Sequence, residues 1–326
     1  MEQSHPTRIA IVGCGNVGAT YAYALLLNRL SSEIVLIDAN RSKAEGEAMD
    51  LNHAMPFAHP TRIWAGDFAD CAGAPITVVA AGAGQRPGET RLDMVVRNGE
   101  IWRQIIPQIV QHNPNGILLI ATNPVDVLTY AALKLSGLPE KRVIGSGTIL
   151  DTARFRYLLS QHFRVDSRSV HAFIIGEHGD SEVPVWSLAN IAGMKLKDFC
   201  RVQEAELTSA TRQSIYEQTR DAAYHIIERK GATYYGVAAG LIRITAAILR
   251  DQNTVFSVST FIRDYYGIGE VCLSLPAVLN REGVDRVLRL ELNPEKRPGC
   301  ADRQRSCRAQ SRSSSSRLRA AETWNR

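Results

Sequence analysis

No apolar stretch in the chain approaches the length of a membrane span: its longest runs, such as Ile117 to Ala121, are strand-length, against the roughly 20 residues needed to cross a bilayer. No membrane partner is expected. The N-terminus is short and polar and runs directly into Arg8-Ile9-Ala10-Ile11-Val12, with no charged segment, apolar run and small-residue cleavage site before it. No secretion signal is therefore expected. Cysteine is sparse: the six residues Cys14, Cys71, Cys200, Cys272, Cys300 and Cys307 are scattered, and no two stand at metal-ligand spacing. That predicts no metal site and fits a reduced cytoplasm. The body of the chain also lacks positive charge. Of the net +5, residues 296–326 hold nine Lys/Arg against Asp302 and Glu322, which leaves the first 295 residues at about −2. A slightly acidic body gives no footprint for nucleic acid.

What is present is enough for two ordinary domains, each with its own core: 326 residues, 45% of them hydrophobic and 22% charged. An apolar run at Ile9–Val12, a glycine turn, a helical stretch through Tyr21–Leu27 and a second apolar run at Ile34–Ile37 make a strand-helix-strand unit. Strand-like runs follow at Ile76–Ala80 and Ile117–Ala121, separated by the helical spacing of Val95, Ile101, Ile105 and Ile109. Strands apolar on both faces and alternating with helices predict a parallel sheet covered on both sides. The second half reads as α+β, with helical patterns at Ala205–Glu228 and Gly236–Leu249, then strand-like runs at Val255–Thr260, Val271–Pro276 and Val287–Leu292. After Asn293-Pro294 the periodicity stops, and the Arg/Ser-rich stretch is expected to be disordered.

Gly13-Cys14-Gly15-Asn16-Val17-Gly18 matches G-x-G-x-x-G, follows a strand and opens a helix, and Asp38 stands twenty residues on from Gly18 at the end of the next strand. Pyrophosphate on a helix N-terminus and a carboxylate on ribose hydroxyls need that arrangement. An acid at 38 repels a 2′-phosphate, so NAD is expected over NADP.

Two further segments carry chemistry. Gly82-Ala83-Gly84-Gln85-Arg86-Pro87-Gly88-Glu89-Thr90-Arg91-Leu92-Asp93 sets an uncharged amide six residues before an arginine in a glycine-rich loop. Asp151-Thr152-Ala153-Arg154 sets an acid and an arginine on one face of a helix, and Ile174-Ile175-Gly176-Glu177-His178-Gly179-Asp180 follows. Together these segments resemble the L-lactate dehydrogenases of the lactate/malate dehydrogenase family, in the bacterial type activated by fructose 1,6-bisphosphate, from about Arg8 to Pro294. In the related malate dehydrogenases arginine replaces the glutamine.

The resemblance implies an α/β fold: a Rossmann doubly wound parallel sheet over residues 1–145 that binds NAD, an α+β substrate domain over 146–295, and a basic tail over 296–326 that is not family-like. It implies pyruvate and L-lactate as substrates in glycolysis and fermentation, and a cytoplasmic homotetramer. His178 is the implied proton carrier, Asp151 its orienting partner, Arg91 the cation over the substrate carbonyl and Arg154 the clamp on the substrate carboxylate. Gln85 meets the far end of the substrate, Asn123 contacts substrate and nicotinamide ribose with its bond to Pro124 open to a cis form, and Thr233 walls the pocket. Gly13, Gly15, Val17, Gly18, Asp38, Lys43, Gly82, Ala83, Asn123 and Ser146 are the implied cofactor residues. Arg156 and His171 match positions that bind fructose 1,6-bisphosphate across a twofold interface. The chemistry agrees with these roles, because reducing a 2-oxo acid needs a hydride, a proton for the developing alkoxide, a cation at the carbonyl and a fixed grip on the carboxylate.

The family ends in another amphipathic helix after the Asn-Pro step. This chain turns Arg/Ser-rich there, as a reading-frame shift near the end of a gene would give; a genuine basic extension is the other reading. The rival activities are malate dehydrogenase, with Arg86 reaching the substrate, or another 2-hydroxy-acid dehydrogenase. From a different class, an idle NAD sensor would use the tail to bind nucleic acid.

Overall fold

A computed structural model of the chain describes residues 7–83 and 91–291, with the backbone alone for 91–94; Gln85, Arg86 and the basic tail lie outside the described residues. Contacts divide the chain into two compact units. The first falls within Met1–Ser146, Thr233–Thr254 and Val278–Arg286, the second within Gly147–Ala232, Val255–Ala277 and Val287–Arg326.

In the first unit, strands β1 (Arg8–Val12), β2 (Glu33–Ile37), β3 (Arg62–Ala65), β4 (Ile76–Val79), β5 (Ile117–Ile120) and β6 (Val143–Gly145) alternate with helices α1 (Asn16–Asn28), α2 (Arg41–Ala54), α3 (Arg91–His112) and α4 (Val125–Ser136). Every residue of β2, β4 and β5 is buried, as strands covered on both faces must be. The order is β6-β5-β4-β1-β2-β3, with every neighbouring pair parallel. The chain therefore winds outward from β1 to β3 and then returns to place β4 on the other side of β1. That reversal makes a crevice at the C-terminal ends of β1 and β4.

The second unit begins with α5 (Ile149–Phe163), followed by the short strands β7 (Val170–His171), β8 (Ile174–Ile175), β9 (Val183–Pro184), β10 (Asn190–Ile191) and β11 (Met194–Lys195), then α6 (Leu196–Val202) and α7 (Ser209–Lys230). Its core gathers Phe155 and Leu159 of α5, Val170, Ile174, Ile191 and Ile215 of α7, with Trp186 set edge-on to Phe155 at 4.7 Å. The helical pattern from Ala205 starts late, because Thr208 caps α7 by accepting from the Thr211 N–H and leaves residues 205–207 outside the helix.

Helix α8 (Tyr235–Leu249) belongs to the first unit, where the Tyr21 hydroxyl meets Thr245 Oγ1 at 2.6 Å. Strands β12 (Thr254–Ile262), β13 (Val271–Asn280) and β14 (Gly283–Val287) are the last strands among the described residues, with β13 between the other two. The sequence placed the last strand at Val287–Leu292. The strand ladder instead covers Gly283–Val287; beyond it Leu288 bonds to the Pro276 carbonyl and the Tyr265 hydroxyl, Leu290 bonds to the Tyr265 and Tyr266 hydroxyls, and Leu292 lies outside the described residues. Among the described residues no helix is long and apolar enough to cross a membrane.

Candidate active site

Parallel pairing aligns the strand ends of the first unit. Val12 pairs with Ile37 and Val79, Val79 with Ile120, and Ile120 with Gly145. Five loops consequently start at one level along an edge of about 20 Å, at about 4.8 Å per strand. The implied cofactor residues fall on those loops: Asp38 after β2, Gly13 to Gly18 after β1, Gly82 and Ala83 after β4, Asn123 after β5 and Ser146 after β6. Lys43 is exposed in the first turn of α2, with its N–H held by Asn40 Oδ1 at 3.1 Å. The Asn123-Pro124 bond is cis. Thr233 is half-buried just ahead of α8.

The glycines divide into two kinds. Gly13 has φ of +102°, and a Cβ there would strike the Ala80–Ala81 backbone; a Cβ on Gly18 would strike the carbonyl oxygen of Gly13. Both are needed by the fold. Gly15 is different, since its backbone is extended and a Cβ would meet nothing within 4 Å. It is also the N-cap of α1 and gives the first turn no side-chain cap and no acid, so the helix presents its positive end bare. A glycine without a structural reason, beside an uncapped helix start, leaves room for a phosphate to approach the backbone. Asp38 flanks this space, accepting from Cys14 N–H at 2.7 Å and Asn40 N–H at 2.9 Å. These residues fit a dinucleotide. Gly15→Ala should therefore keep the thermal midpoint of the parent while weakening NADH about tenfold or more in a fluorescence titration. Gly18→Ala should cost about 1–3 kcal/mol of stability. Equal NADH affinity in Gly15→Ala would remove the phosphate from this turn.

The β4 loop rests on residues that pattern reading passed over. Asn98, 1% exposed, accepts from Ala83 N–H at 2.8 Å, and Thr122 Oγ1 and Trp102 Nε1 both donate to the Ala81 carbonyl. A Cβ on Gly82 would press on Thr122.

In the second unit the implied catalytic residues come together. Asp151 sits in the first turn of α5, 2% exposed; its Oδ2 meets His178 Nδ1 at 2.5 Å and its Oδ1 accepts from Arg154 at 2.9 Å. Burial disfavours the charge on Asp151, but the His178 and Arg154 cations and their hydrogen bonds outweigh it and hold the carboxyl below its ordinary range. An ionised carboxylate only accepts, so Nδ1 of His178 is the donor. Buried hydroxyls fix this geometry: Thr148 Oγ1 and Ser257 Oγ donate to the Ile174 carbonyl at 2.6 and 2.7 Å, and Thr152 Oγ1 accepts from Ile174 N–H at 3.0 Å. The start of α5 is thereby latched to β8, which leads directly into the histidine loop.

Glu182 is a residue the sequence reading did not single out, although an acid four positions after the histidine was visible. It is 1% exposed, and its atoms with those of Asp151 and His178 lie within 4.8 Å of one another. Arg156 is half-buried on α5 and donates to the Ser167 carbonyl at 3.3 Å, in the turn that leads to β7; His171, on β7, is exposed. Of the two loop residues, Gln85 lies outside the described residues and Arg91 opens α3 with only its backbone described.

Residues 7–145 match the family model for the NAD binding domain of lactate/malate dehydrogenase, and residues 148–306 match the model for its alpha/beta C-terminal domain. The chain is 55% identical over 287 residues to an L-lactate dehydrogenase of Priestia megaterium, covering 88% of this chain and 90% of the relative. A lactate dehydrogenase from a Medee basin deep-sea metagenome library superposes with a TM-score of 0.90 at 45% identity, over 94% of this chain and 98% of the other. The minor L-lactate dehydrogenase of Enterococcus mundtii, in a ligand-bound form, superposes with a TM-score of 0.91 at 37% identity, over the same shares.

Proposed function

The chain belongs to the lactate/malate dehydrogenase family, and from that premise we propose that it catalyses NAD-dependent interconversion of pyruvate and L-lactate through His178. The observation that carries this reading is the buried Asp151 carboxylate holding His178 at 2.5 Å and Arg154 at 2.9 Å. One anion thus orients both a proton carrier and a carboxylate clamp.

Bound NADH supplies the hydride that reaches C2 of pyruvate. Gly13 to Gly18, Asp38, Lys43, Gly82, Ala83, Asn123 and Ser146 would hold the dinucleotide. With Nδ1 of His178 committed to Asp151, Nε2 is the atom that gives its proton to the developing alkoxide. Asp151 stabilises the imidazolium beforehand and fixes the ring when it is neutral. Arg154 grips the substrate carboxylate with two parallel N–H bonds, which a lysine could not do. By the family resemblance, Arg91 would polarise the carbonyl, and Thr233 and Gln85 would select the substrate. In the reverse direction neutral His178 takes the hydroxyl proton of lactate. Pyruvate reduction therefore falls and lactate oxidation rises as pH increases through the imidazole titration. Incubation with pyruvate and NADH should yield one L-lactate per NADH consumed, judged by chiral analysis. D-lactate, or no turnover, would reject the reading.

We further propose a cytoplasmic homotetramer activated by fructose 1,6-bisphosphate; what supports the effector site is Arg156 bonded to the turn that leads into His171, the two positions matched by the resemblance. Four cationic groups brought together on a twofold axis repel each other by roughly 1–4 kcal/mol per close pair, and a bisphosphate removes that repulsion. The effector should lower the apparent KM for pyruvate and favour the tetramer in sedimentation. Arg156→Gln combined with His171→Gln should abolish the response. Unchanged kinetics and sedimentation at about millimolar effector would count against this site.

A further inference from the structure

Among the described residues of the second unit, Glu182 is a buried carboxyl to which the proton transfer through His178 gives no task. Glu182 is 1% exposed, and its Oε1 is buried with no hydrogen-bond partner. Its backbone is held firmly: its N–H donates to the Gly179 carbonyl at 3.1 Å, its carbonyl accepts from Tyr216 of α7 at 2.9 Å, and the pairing of β9 with β8 pins both ends of the histidine loop. The side chain is thereby kept beside Asp151 and His178, all three within 4.8 Å. The charged groups acting on it are Asp151 and Arg154 of α5, His178 of its own loop and Arg220 of α7. An ionisable group buried without a partner is costly to keep. Beside a proton carrier, such a group marks tuning of that carrier.

We propose that Glu182 is a positioning residue of the proton transfer: it stays protonated while Asp151 is ionised and His178 is charged, and its own ionisation at alkaline pH holds the imidazolium in place. This rests on the reading of His178 as the proton carrier. The electrostatics agree with the geometry. Burial first, and then the negative charge of Asp151, push the Glu182 carboxyl up to about 8, while His178, Arg154 and Arg220 pull it the other way. Of the two carboxyls, Asp151 is held down by His178 and Arg154 against its burial, and its negative charge then adds to the burial that raises Glu182. Coupling of this kind is mutual, so the charge state of Glu182 acts on His178 as strongly as His178 acts on it.

The test follows ¹⁵N-histidine resonances of the protein without cofactor from about pH 5 to 10, with His178 identified by its loss in His178→Asn. In the unmodified protein His178 should lose its proton in two coupled steps. In Glu182→Gln it should do so in a single step displaced toward acid by about one pH unit. The alkaline limb of kcat/KM for pyruvate should move the same way, giving a loss on the order of tenfold at about pH 9 with agreement within about twofold at about pH 6. A structural role alone would lower the profile equally at every pH, and that result, or identical curves in the two proteins, overturns the proposal. A single-step titration in the unmodified protein overturns it whether or not the variant folds. If the unmodified protein failed to reduce pyruvate, the functional reading would fall, while the titration curves would still decide the coupling.

Discussion

His178→Asn is expected to lower kcat/KM for pyruvate by about 10²–10⁴-fold while NADH binding changes by no more than about twofold. Asparagine preserves a side-chain donor toward Asp151 and approximate size, so the buried carboxylate, 2% exposed, keeps a partner and the loop keeps its place. What disappears is the proton for the alkoxide, a charge that develops only during hydride transfer. Arg91→Gln should cost a similar factor for the complementary reason: a neutral amide cannot stabilise the oxygen as it becomes anionic. The two losses should appear mainly in kcat. Cofactor affinity should stay, because neither substitution alters the Gly13–Gly18 turn or another implied cofactor residue. Near-normal turnover in either variant would take that residue out of the mechanism.

Gln85→Arg should shift the ratio of kcat/KM for oxaloacetate over pyruvate upward by about two to four powers of ten. The new guanidinium offers a bidentate partner to the second carboxylate of oxaloacetate. With pyruvate bound it faces a methyl group instead and is left unpaired, so the same change attracts one substrate and penalises the other. Specificity here is a difference of two barriers, and both move in the same direction. A ratio that does not rise would mean that Arg86, and not position 85, reaches the substrate.

The fold was largely legible because its signals are local. Strand runs such as Ile9–Val12 and Ile34–Ile37 are apolar at every position, which only a sheet covered on both faces tolerates, and the glycine turn stands where β1 meets α1. The site was legible in its residue types, since Asp151, Arg154 and His178 each have a chemistry that spacing hints at. Their assembly was not, because a 2.5 Å contact across 27 positions depends on α5 being latched to β8 by Thr148, Thr152 and Ser257. Hydroxyls carry no periodic signature. Glu182 was missed for a related reason: an acid in a polar loop reads as solvated, and only the tertiary fold buries it to 1% exposure. The strand expected at Val287–Leu292 differs because Leu288 and Leu290 are held largely by the hydroxyls of Tyr265 and Tyr266, partners that an apolar pattern does not announce.

The most direct test of the central claim is steady-state oxidation of NADH by the purified protein with pyruvate and with oxaloacetate, repeated with NADPH. Pyruvate should exceed oxaloacetate in kcat/KM by about 10²-fold or more and NADH should exceed NADPH, since Gln85 offers no cation to a second carboxylate and Asp38 repels a 2′-phosphate. Faster turnover with oxaloacetate, or indifference between the two substrates, would contradict it.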